Sequence, residues 1–136
     1  MIYKELNNLK YLDKIITSKK NQLASLRRTY DTIKAQDYSK EHITGGIRQD
    51  ISDTVIKIVD LEREIIADID ALCGEKKRID NYIKQFIQGE EYLVIQMYFF
   101  ENMKLEEIAI KINRGYGTVK RFKKKALEKI LKVEPQ

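Results

Sequence analysis

Apolar residues recur along the first part of the chain at Leu9, Leu12, Ile16, Leu23, Leu26, Tyr30 and Ile33, with Lys19 as the one polar member of the series. Steps of three and four residues keep these positions on one side of a helix. They predict a helix from about Tyr3 to Gln36 with a heptad-like seam. The stretch from Asp37 to Gln49, DYSKEHITGGIRQ, is polar and contains Gly45-Gly46, which reads as a loop. A second series follows: Ile51, Val55, Ile58, Glu62, Ile65, Ile69, Leu72, Lys76, Ile79, Ile83 and Phe86. It predicts a helix from Asp50 toward Phe86, about 50 Å long at ~1.5 Å per residue. Gly74 lies inside it at a cost of ~1 kcal/mol relative to Ala, a place where the helix is expected to bend or break. Two long helices joined by one loop predict an antiparallel, coiled-coil-like hairpin over residues 1–87. Ile56, Val59 and Ile66 widen the second stripe beyond what one partner helix covers. Either a second copy or the C-terminal part of the chain must take up that surface.

Near Gly89 the long pattern stops. Three shorter helical segments follow, Glu90–Glu101, Leu105–Ile112 and Tyr116–Lys132, the last two separated by Asn113-Arg114-Gly115. Asn and Gly tolerate the left-handed conformation that ends one helix and lets the next leave at a steep angle. Tyr92, Leu93, Ile95, Gln96, Tyr98, Phe99 and Phe100 make the first segment strongly apolar. Ile108, Ala109 and Ile112 face it from the second, with Ala109 small enough for close approach. On the third, Val119, Phe122, Ala126 and Ile130 form a core stripe, while Gly117, Lys120, Arg121 and Lys124 share the opposite side, flanked by Thr118 and Lys125. The expected fold is all-α: a long helical hairpin, then a three-helix helix-turn-helix domain over 88–136 whose last helix enters a major groove.

Charge sharpens this expectation. The net charge is +5, and residues 104–132 alone carry ten basic groups against three acidic ones. A basic segment on a near-neutral body is the electrostatic footprint of a polyanion binder. Lysine and arginine on one helix face can pair with phosphates, and arginine can read guanine edges bidentately. A helix N-terminus beside Gly117 would favour a phosphate.

Other classes find little support. No run approaches the ~18 apolar residues of a membrane span, and MIYKELNNLK lacks the apolar core of a secretory signal. Cys73 is the only cysteine, so no intramolecular disulfide can form; it is expected to be a buried small hydrophobe in a cytoplasmic protein. Glu106-Glu107 sits where a helix first turn welcomes negative charge, with no histidine or nucleophile beside it. Asp37, Glu41 and His42 are too few for a metal site, and no GK[ST] follows Gly45-Gly46. The opposite side of the Lys123-Lys124-Lys125 helix is a compact core stripe, unlike that of a membrane-surface helix. No catalytic residue, metal or cofactor is expected.

The run YLVIQMYFFENMKLEEIAIKINRGYGTVKRFKKKALEKILK resembles region 4 of the sigma-70 family. The matching pieces are Glu106-Glu107-Ile108-Ala109, Gly117-Thr118-Val119-Lys120, and Lys125-Ala126-Leu127 with Lys129-Ile130-Leu131. The resemblance implies that Tyr116, Thr118, Lys120 and Arg121 read base edges, with Lys124 one turn on. Gly117, Lys125 and, in the turn, Arg114 complete the expected DNA-binding set. The chain departs from the family pattern at Lys104, where Ser or Thr usually stands, and at Arg114 and Gly115, where an apolar residue and a Ser or Thr cap are usual. No stretch resembles the promoter-melting region of a complete sigma factor. A region 4-like domain behind a helical half is similar in layout to small phage-encoded late-transcription regulators of the ArpU/RinA type. That resemblance implies a transcriptional regulator in a bacterial host cytoplasm, homodimeric through its N-terminal helices, binding double-stranded DNA and contacting RNA polymerase. Two alternatives share the same features: a small terminase-like DNA-packaging protein, and an adaptor that mimics region 4 without binding DNA.

Overall fold

A computed structural model describes residues 2–39 and 45–133, with side chains over 2–36 and 50–133. Glu41 and His42 lie outside the described residues. Among these residues there is no strand. α1 spans Ile2–Ser39 and α2 Gly45–Ile83; α3 (Gly89–Ile95) runs into a π-helical turn over Gln96–Phe100, and α4 (Leu105–Ile112) and α5 (Tyr116–Val133) follow. The all-α expectation holds, a long helix pair preceding short C-terminal helices. No described helix is long and apolar enough to cross a membrane.

The helices claim both ends of the expected loop. α1 continues to Ser39 and α2 already begins at Gly45, because a nucleated helix gains one hydrogen bond per residue added. α2 also passes through Gly74 without a break. A β-carbon there would meet nothing within 4 Å. The buried Leu72 and Ile79 on either side outweigh the ~1 kcal/mol that glycine costs a helix. Cys73 is exposed rather than buried. It follows Leu72, and the ~100° step between neighbours on a helix turns it away from the inward stripe.

The chain divides into two compact units, residues 14–70 and residues 1–13 with 71–136. In the first, the middle stretches of α1 and α2 run antiparallel. The Lys19 ammonium lies 2.5 Å from Asp68 and 3.2 Å from Glu64, and Arg27 lies 2.7 Å from Glu62, so numbers rise on one helix as they fall on the other. Lys19, the polar member of the α1 series, thus has an ionic role at the seam. Its hydrogen bond to Asp68 holds its pKa above the ordinary lysine value. Ile16 and Ile65 are buried and Leu23, Leu26, Tyr30, Ile33, Ile58 and Leu61 are half-buried. Near its start α2 turns a different line inward from the one expected. Thr54 is buried at 8% exposure while Val55 stays 40% exposed. The inward steps 54, 58, 61 and 65 keep a three-four spacing and share Ile58 and Ile65 with the expected line, while Thr54 and Leu61 stand one position before Val55 and Glu62.

The second unit combines the first turns of α1, the end of α2 and all the short helices. Ile2, Leu6 and Leu9, Leu72, Ile79, Ile83 and Ile87, and Ile95, Phe99, Ala126 and Ile130 are all buried. Val94, Met97, Ile108, Ala109 and Val119 form a packed cluster with Tyr98, Met103, Leu105, Ile112 and Phe122 around it. The Val119, Ala126 and Ile130 stripe therefore faces inward as its spacing predicts. Leu93, one of the residues that make this segment apolar, is 39% exposed, and its neighbours Val94 and Ile95 take the inward places.

The segment expected as one helix over Glu90–Glu101 changes pitch midway. The Glu101 N–H reaches back five residues to the Gln96 carbonyl at 3.0 Å. This wider turn distributes three consecutive rings: Phe99 is buried, Tyr98 and Phe100 half-buried. Asp80 of α2 anchors the segment, accepting hydrogen bonds from the Tyr92 hydroxyl and from Gln96 Nε2 at 2.5 Å. Burial, with Asp80 beside it, pushes the Tyr92 hydroxyl up to about 12. On α1, Lys10 donates to the Tyr98 carbonyl at 3.0 Å and sits 3.5 Å from the centre of that ring, and Lys123 of α5 lies 4.0 Å from the same centre. Lys123 is thereby committed to the aromatic ring, unlike the lysines that follow it.

Candidate nucleic-acid interface

α4 and α5 are joined by a turn whose geometry follows from two residues. Asn113 takes the left-handed conformation, φ 56° and ψ 50°, one that asparagine adopts more readily than most side chains. Its N–H bonds the Ile110 carbonyl at 3.3 Å and the Arg114 N–H bonds the Ala109 carbonyl at 3.0 Å, the paired closure of a Schellman motif. Gly115 then offers its carbonyl to the Val119 N–H at 3.0 Å, opening α5. Departure from the usual turn residues thus leaves the two-helix unit intact. Upstream, Lys104 occupies the N-cap of α4 in extended conformation without a side-chain cap, and the α4 first turn carries Glu106 and Glu107, favourable charges at that end. Asn102, two residues before Lys104, takes φ 56° and donates to Asp13 at 3.3 Å.

α4 and α5 pack through Ile108, Ala109 and Val119, and this packing decides which side of α5 faces out. Gly117, Lys120, Arg121, Lys124 and Lys125 are exposed, Tyr116 is 45% exposed and Thr118 half-buried. No carboxylate among the described residues pairs with Lys120, Arg121, Lys124 or Lys125. Arg121 Nη2 stands 3.4 Å from Thr118 Oγ1 on its own helix. Leu105 and Leu127 floor a shallow groove that Lys120, Arg121, Lys123 and Lys124 rim, with Gly117 at one end. A β-carbon at Gly117 would meet open space, so the fold does not require glycine there.

Arg114 differs from the rest of the set. It lies 2.5 Å from Glu90, so its charge is already met, and Lys129 is likewise 2.7 Å from Glu91. Both pairs tie the α4–α5 unit to the first turn of α3. Sequence reasoning missed these pairs and the Lys10–Tyr98–Lys123 stack. One signal was available: Lys123 lies at the edge of the Val119–Ala126 stripe, whereas Lys124 and Lys125 do not.

No group of three or more metal-ligating side chains occurs among the described residues. The arrangement can offer cations, a helix N-terminus and a shallow apolar floor to a polyanion, and it brings no nucleophile and base together. Comparison with known proteins agrees with that chemistry. Residues 88–132, about a third of the chain, match the family model Sigma-70, region 4. No curated protein and no solved structure matches the chain. Residues 88–132 are thus a helix-turn-helix similar to sigma-70 region 4, a family of DNA-binding domains.

Proposed function

We propose that this protein is a sequence-specific duplex-DNA-binding regulator of transcription, of the small phage- or prophage-encoded kind, acting in a bacterial cytoplasm. The observation that carries the reading is the face of α5, where Lys120, Arg121, Lys124 and Lys125 stand exposed with no carboxylate partner among the described residues. Lys125 and the other lysines of this face that DNA bases do not engage contact phosphates, releasing counterions and making binding steeply salt-dependent. Tyr116, Thr118, Lys120 and Arg121, near the start of the helix, read base edges, with Lys124 one turn on. Gly117 leaves the approach to the helix N-terminus open, and Arg114 contributes a phosphate contact from the turn when it exchanges Glu90 for DNA. Residues 88–136 are the reading part. Residues 1–87 are the association part, holding two copies together so that two reading helices meet two half-sites. The likeness to region 4, a domain that works on RNA polymerase, supports recruitment of polymerase as the outcome of binding.

The test is selection of bound duplexes from a random-sequence library by the full chain, at two salt concentrations. Enrichment of one motif, lost when Arg121 is replaced, supports the reading. Retention of all sequences alike, or of none at low salt, sinks it.

A further inference from the structure

The middle of the helix pair, residues 14–70, buries one side of each helix and leaves a second apolar line open. Val55, Val59 and Ile66 of α2 are 40%, 36% and 60% exposed, and their steps of four and seven place them along one side of the helix. Next to this line, Leu23 and Ala24 of α1 and Ile65 and Ile66 of α2 line a groove rimmed by Lys20, Arg27 and Glu62. An apolar floor inside a charged rim is the anatomy of a protein interface.

Charge identifies the occupant. Between residues 14 and 36, α1 carries six basic residues and one acidic; between 50 and 70, α2 carries two basic and seven acidic. One arm of the hairpin is thus net +5 and the other net −5. We infer that the groove receives a second copy of this chain, related by a two-fold axis that lays α1 of each copy over α2 of the other. This rests on the self-association in the proposed function and specifies its face and orientation. A surface holding a positive arm beside a negative arm is self-complementary under a two-fold rotation, the condition for a closed dimer. Packing α2 on α2 would cover the same apolar line but set two −5 arms together, within the ~10 Å over which charges act at 0.1 M salt. Like-charge opposition disfavours that arrangement.

Sedimentation equilibrium of the full chain without DNA tests the face. The wild type sediments as a dimer. Val59→Asp combined with Ile66→Asp weakens the dimer at least about tenfold, on the order of 1.4 kcal/mol, and far-ultraviolet circular dichroism stays unchanged because both side chains are exposed in the single chain. A monomeric wild type, a ring of eight or more copies, or a dimer indifferent to the double substitution overturns the proposal. Orientation is tested by mixing two proteins, one with Lys20→Glu and Arg28→Glu on α1, the other with Asp60→Lys and Asp70→Lys on α2. The mixed dimer should exceed both homodimers, and raised salt should erase the preference. A strongest homodimer from the α2-reversed protein overturns the α1-over-α2 arrangement. The DNA reading fails separately: a wild-type dimer that binds no duplex sinks that reading and leaves this one standing.

Discussion

Two stretches of the same pair of helices meet very different surroundings. In residues 14–70 only Ile16 and Ile65 among the described apolar side chains are buried, whereas residues 2–13 and 71–133 hold all the other buried apolar positions. The heptad spacing is alike in both. The difference is the number of neighbours: a helix that meets one other helix covers one stripe, and a helix surrounded by several layers covers most of its surface. Seam regularity therefore says that two helices pair and says little about how much stability the pairing supplies.

The largest effect should come from the unit with the dense core. Leu6→Ala, far from α5 in sequence, should cost about 2–5 kcal/mol as a buried large-to-small change, read from the denaturant midpoint. Leu26→Ala, half-buried in the other unit, should cost clearly less, and equal costs would erase the contrast. Next in size, Arg121→Ala should weaken binding to a selected duplex by about 1–3 kcal/mol with no change in the unfolding midpoint. Equal losses on selected and random duplexes would count against base reading.

A pH effect should follow from Tyr92, whose hydroxyl titrates near 10 unfolded and about 12 folded. The folded state keeps that proton longer, so the contribution is intact below pH 10 and is lost as pH rises toward 12. Tyr92→Phe should flatten that part of the stability profile, and an unchanged slope would remove Tyr92 as its cause. The smallest effect should be at Lys19. Lys19→Met should shift the midpoint slightly at low salt and not at all near 1 M, since pairs this exposed are screened.

Spacing alone made the helix pair, the Val119–Ala126–Ile130 stripe and the exposed cations of α5 legible, because each follows from which positions share a helix face. The Asn113 turn was also readable from residue type. What stayed hidden depends on tertiary partners. Position at the edge of the Val119–Ala126 stripe sets Lys123 apart from Lys124, but nothing local names Tyr98 as its partner or distinguishes Arg114, held by Glu90, from a free arginine. Thr54 takes the inward place of Val55 because steps of four and of three from Ile58 both stay on one helix side, so spacing does not choose between them. The pitch change at Gln96–Phe100 is likewise not encoded in the periodicity.

The unit bearing α5 is assembled from the beginning of the sequence and from its last half. Ile2, Leu6 and Leu9 are synthesised well before Ala126 and Ile130 of α5, buried residues of the same unit, which follow more than a hundred residues later, a wait of order ten seconds at ~5–20 residues per second. During that interval the apolar side of these turns lacks the core that buries it in the folded unit. The cationic helix thus arrives late in synthesis, and a nascent chain interrupted before α5 lacks part of the core of the unit in which Ile2, Leu6 and Leu9 are buried.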